Sequence, residues 1–112
     1  MQDASILQRA ALFYHALYIV TGKMPKRDKY TLGERTHLAT LALIEYLIAA
    51  SHLGRERKLL ALEQASVKLD VVRLLLRLAQ ELKAVPTKTY LELIARLDEI
   101  GKMLGGWMRS LK

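Results

Sequence analysis

Arg9 and His15, in the stretch RAALFYH, are residue types that could cut a phosphodiester bond. In such a pair the imidazole takes a proton as general base and the guanidinium stabilises phosphate charge. Both lie on an apolar helical stretch without the polar companions such a site needs, so His15 is expected to be packed rather than catalytic. His37 and His52 are too far apart to ligate a metal from adjacent helical turns, and no His-x3-His or Glu-x-x-His cluster occurs. The absence of cysteine excludes thiolate nucleophiles, disulfides and sulfur-ligated metals. No glycine-rich phosphate loop follows a strand, because no strand pattern exists. The chain is therefore expected to be no enzyme and to need no metal or cofactor.

Charge points to a different kind of chemistry. Eighteen Lys and Arg against eleven Asp and Glu give a net charge of +7 in 112 residues, which favours polyanionic partners. Two clusters stand out: Lys23, Lys26, Arg27 and Lys29, and further on Arg55, Arg57 and Lys58. Clustered Lys and Arg bind phosphate through charge, which makes binding tolerant of base sequence and sensitive to salt. Tyr30 beside the first cluster could stack on a base or serve as a packing staple before a helix. Arg73 and Arg77 are of another kind, one helical turn apart in a Leu- and Val-rich helix, on a polar stripe with Asp70 and Glu81. They are expected to form intrahelical pairs, Asp70 with Arg73 and Arg77 with Glu81, or to offer a docking surface to an acidic or phosphate-bearing partner.

The elements that must carry these residues are four helical segments, so the class is all-α. The first runs from about Ala4 to Val20 and is closed by Gly22 and Pro25. The second is expected to begin at a capping box of Thr31 and Glu34 and to reach about His52. The third spans about Lys58 to Lys83, and Pro86 stops it. Thr87 is expected to cap the fourth. Short connections favour antiparallel neighbours, giving one up-down-up-down four-helix bundle over residues 1–112. In that topology Lys83 and Lys88 join the first cluster at one end, and Arg109 and Lys112 join the second at the other.

The helices carry more apolar surface than one bundle can hide. HLATLALIEYLIAASHL is apolar on nearly every face, yet Glu45 at its middle and the lack of a second such span argue against a membrane crossing. Self-association is the expected use of the surplus. Gly101 and Gly105 share one face of the last segment and lack side chains, so another backbone could approach there, with Trp107 as an apolar anchor. The alternative is that the last glycines fray or cap the helix while Trp107 covers the bundle's end. The N-terminal stretch has no basic n-region and no cleavage site, so a cytoplasmic location is expected.

Three stretches in order, YTLGER (Tyr30 to Arg35), RLLLRLAQEL (Arg73 to Leu82) and LDEIGKMLGGW (Leu97 to Trp107), give the chain a family likeness. It resembles the accessory variability determinant (Avd) proteins of diversity-generating retroelements, within the bacterial four-helix-bundle proteins of ribosomal RNA intervening sequences. The resemblance implies a non-enzymatic protein that forms a homopentameric barrel of four-helix bundles. It also implies a reverse transcriptase and its template RNA as partners during mutagenic retrohoming. The alternatives are a structural or RNA-associated role of the intervening-sequence type, and a HEPN-like ribonuclease built on Arg9 and His15.

Overall fold

In the computed structural model, which describes residues 2–112, the chain forms four long helices. Helix α1 (Gln2–Gly22) is followed by one turn, α2 (Lys26–Asp28), which runs without a break through a π-helical turn (Lys29–Gly33) into α3 (Glu34–His52). Helices α4 (Arg55–Glu81) and α5 (Thr87–Ser110) complete the molecule. At about 1.5 Å per residue the longest helix is about 40 Å, and the molecule measures 43 × 22 × 19 Å. The helices therefore lie along its long axis. Packing joins α1 to α3, α3 to α4, α4 to α5 and α5 back to α1, which is the neighbour scheme of a four-helix bundle.

Each helix buries one narrow stripe. Ile6, Ala10, Phe13 and Leu17 of α1 face Leu43, Leu47 and Ala50 of α3. Leu62, Ala65, Leu69, Val72 and Leu76 of α4 and Leu93, Leu97, Ile100, Leu104 and Trp107 of α5 complete this core. The alternating three- and four-residue spacing is the signature of knobs-into-holes packing between helices nearly parallel to one another. Thr36 and Thr40 also face inward. Their hydroxyls donate to the carbonyls of Leu32 and Thr36, at 2.6 and 2.8 Å, so burying them strands no polar group.

The helix boundaries depart from expectation for local reasons. Thr31 does not cap α3, because the helix has already started after Pro25; its hydroxyl bonds back to the carbonyls of Arg27 and Asp28 from inside the π turn. Gly33 sits in a tight place there. A Cβ would stand 3.3 Å from the Met24 sulfur and 3.4 Å from the Asp28 carbonyl oxygen. Thr87 likewise does not cap α5: Pro86 holds that position with extended ψ, and the Thr87 hydroxyl accepts from Gln80 Nε2 at 3.0 Å. Helix α4 begins at Arg55 rather than Lys58, and ends in a Schellman motif. Lys83 adopts φ 63°, its N–H donates to the Gln80 carbonyl, and the Ala84 N–H donates to that of Ala79. Helix α5 continues through Gly101, Gly105 and Gly106 to Ser110, so these glycines neither fray nor cap it.

Candidate nucleic-acid and partner surfaces

The two basic clusters occupy opposite ends of the bundle. Met24, between Lys23 and Lys26, packs with Ala79, Ala84 and Val85 in a small second core. That contact brings the α1–α2 connection against the α4–α5 connection, so Lys23, Lys26, Arg27 and Lys29 share an end with Lys83 and Lys88. All are exposed except Lys29, which is half-buried. At the other end Arg55 donates from Nε to the Leu111 carbonyl at 2.7 Å and from Nη2 to that of Lys112 at 3.1 Å. It thereby satisfies carbonyls left open at the α5 terminus. Lys58 Nζ lies 6.0 Å from the centroid of the Trp107 ring, at the outer range of a cation–π contact, whereas Arg57 is exposed. The first cluster thus has most of its charge turned to solvent, with Arg27 Nε 3.9 Å from Asp28 Oδ1, and the second is partly engaged within the fold.

Arg73 does not pair with Asp70 along its own helix, as expected, but with Asp98 of α5. The separation along the chain hides this partner, while packing of α4 on α5 brings it within reach. Arg77 is exposed and makes no ion pair with Glu81. Beside the Arg73–Asp98 pair lies an open groove of about 430 Å³ lined by Ser66, Leu69, Asp70, Gly101, Lys102 and Gly105. A Cβ at Gly101 would make ordinary contact with Leu69, and one at Gly105 would meet only the Arg109 guanidinium at 3.3 Å. Among the described residues nothing makes the close backbone approach that two glycines permit. Trp107 is 6% exposed and belongs to the main core.

Arg9 and His15 do not converge. Six residues at about 100° each place them roughly 120° apart around α1. Arg9 is ion-paired with Glu99 of α5, and His15 is exposed rather than packed as expected. His15 shares the outward side of α1 with the exposed Leu12, Tyr18 and Ile19, one turn away.

The histidine that the fold organises is His37. Its Nδ1 lies 2.9 Å from the Tyr14 hydroxyl and its Nε2 2.6 Å from the Thr21 hydroxyl. The Thr21 hydroxyl also lies 3.2 Å from the Tyr18 carbonyl, and the tautomer in which Thr21 donates there and accepts from Nε2–H, with Tyr14 donating to Nδ1, satisfies every group. The imidazole is then neutral with both nitrogens satisfied, and burial lowers its pKa from 6.5. The rings of Tyr14 and Tyr18 stand 5.2 and 5.8 Å from it, centroid to centroid. The spacing of Tyr14, Tyr18 and Thr21 on one face of α1 signalled this cluster, although the partner helix could not be read from it.

Outside the core, α4 presents Leu60, Val67, Val71 and Leu74 to solvent, and α3 presents Leu38, Leu41 and Ile48 around Glu45. These stripes repeat at helical spacing on faces turned away from the buried stripes. No helix among the described residues is long and apolar enough to cross a membrane.

The described residues define an all-helical protein of the four-helix-bundle class. The bAvd-like family model matches residues 5–111, nearly the entire chain, and the protein belongs to that family. Proteins of the Avd type are in general accessory and non-catalytic. No curated protein matches the chain.

Proposed function

We propose that this protein is a non-enzymatic, nucleic-acid-binding accessory of a retroelement reverse transcriptase, assembled as a homopentameric ring and holding template RNA at the polymerase. The observation that carries this reading is the solvated cluster of Lys23, Lys26, Arg27 and Lys29 beside Lys83 and Lys88 at one end of the bundle. A ring repeats that cluster around its axis. Several stretches of RNA can then be held while the same ring docks the polymerase, which raises the effective concentration of template without any chemistry by the ring. The exposed stripes of α3 and α4 supply apolar area for contacts between copies.

The test is binding of unrelated RNA and DNA sequences over a range of salt. Neutralising Lys26, Arg27 and Lys29 together should weaken all of them alike and flatten the dependence on salt. Unchanged affinity and slope would refute this placement of the nucleic acid. Light scattering should report about five times the 12.7 kDa of the chain.

A further inference from the structure

The cleft between α1, the π-helical turn and α3 combines features that the phosphate-binding reading does not use. It is open to solvent, has a volume of about 430 Å³, and is lined among others by Tyr18, Lys29, Tyr30, Glu34, His37 and Leu38. Tyr18 and Tyr30 are 65% and 63% exposed, so both rings are accessible to a ligand at the cleft. The wall behind them is rigid, because His37 is held at both nitrogens by Tyr14 and Thr21. Lys29 belongs to the basic cluster at this end, and the rest of that cluster lies in the same connection.

We propose that this cleft receives one unstacked base of a single-stranded nucleic acid, with Tyr30 and Tyr18 as the stacking surface and Lys29 on the adjoining phosphate. The proposal rests on the nucleic-acid reading above and adds a strand preference to it. Aromatic faces bind any base that is free to leave its neighbours, whereas the bases of a duplex already spend their faces on each other. A volume of several hundred cubic ångströms is in the range of pockets that accept small planar ligands. Glu34, acceptor-only when ionised, can receive the N–H groups on a base edge. The positive charge beside the cleft supplies the complementarity that an apolar partner ring alone would not need.

The decisive experiment compares wild type, Tyr30→Ala and Tyr30→Trp for binding to a labelled single-stranded RNA and to the same sequence as a duplex. Tyr30→Ala should lose about fivefold or more in affinity for the single strand, with the duplex and the salt slope unchanged, since no phosphate contact is removed. Tyr30→Trp should restore the single-strand affinity. Equal loss for both forms, or no loss, overturns the base pocket and leaves the phosphate-binding reading standing. A changed particle mass without a strand-specific loss assigns Tyr30 to a contact between copies and also overturns it. Wild type that binds neither form refutes both readings together.

Discussion

Arg73 of α4 is ion-paired with Asp98 of α5 across the edge of a groove lined by Gly101, while Arg77, one turn further along α4, points free into solvent. The two arginines of one stripe therefore have different duties. One helps hold two helices together, and the other is available to a partner. Arg73→Ala should cost at most about 1 kcal/mol of stability, because the pair is half exposed and screened. Arg77→Ala should cost nothing measurable in chemical denaturation. In a pull-down with the reverse transcriptase, the double variant should bind weakly with its own assembly intact. Full retention removes the stripe from the docking surface.

Gly105→Leu separates contacts within the chain from contacts between copies. Inside the chain the new Cβ would meet the Arg109 guanidinium at 3.3 Å, and leucine favours a helix more than glycine does, so the monomer's helix content should not fall. If a neighbouring copy packs on this face, the added volume costs about 1–3 kcal/mol at the contact and lowers the particle mass seen by light scattering. An unchanged mass places the subunit contact on another face.

Lys83 sits at φ 63°, a backbone conformation that costs a non-glycine residue free energy. Lys83→Gly should therefore raise stability by about 0.5–1 kcal/mol, read as a shift of the urea midpoint, with part of the gain offset by glycine's freer unfolded chain. It also removes one charge from the first basic end. Nucleic-acid affinity should fall slightly while stability rises, a combination that a general folding defect cannot produce.

His37 makes the fold sensitive to acid. Its pKa is lowered in the folded protein by burial, so the unfolded chain binds the proton more readily. Stability should be full above the unfolded value of about 6.5 and fall as pH drops from there toward the lower folded value. In the cation Nδ1 carries a proton and donates to the Tyr14 oxygen, so the hydroxyl must turn its own hydrogen elsewhere. Urea midpoints for wild type and His37→Gln at pH 7.5 and 5.5 check this: the variant should lose most of the difference. An equal difference in both assigns the acid sensitivity to other groups.

His15→Ala should leave stability nearly unchanged, because the side chain is exposed. RNA cleavage by wild type that disappears in this variant would overturn the accessory reading in favour of a nuclease.

The four helices were legible in the sequence, because helical periodicity and its breakers are local patterns that folding preserves, whereas the stripe each helix buries was not, since HLATLALIEYLIAASHL is apolar on nearly every face. The order of helices and their short connections also implied that Lys26 and Lys83 would share an end, since antiparallel neighbours leave few other arrangements. The capping signals misled, because Pro25 and Pro86 precede the helices that Thr31 and Thr87 were expected to cap: the Thr31 hydroxyl bonds back along its helix, and that of Thr87 accepts from Gln80 of α4. Only the tertiary structure decided which partner each charge and ring would meet. Asp98 lies 25 residues from Arg73, and His37 lies 23 from Tyr14. Such contacts depend on the rotation of one helix about its axis against another, which is set by the packing of the whole core and is written in no single stretch of the chain.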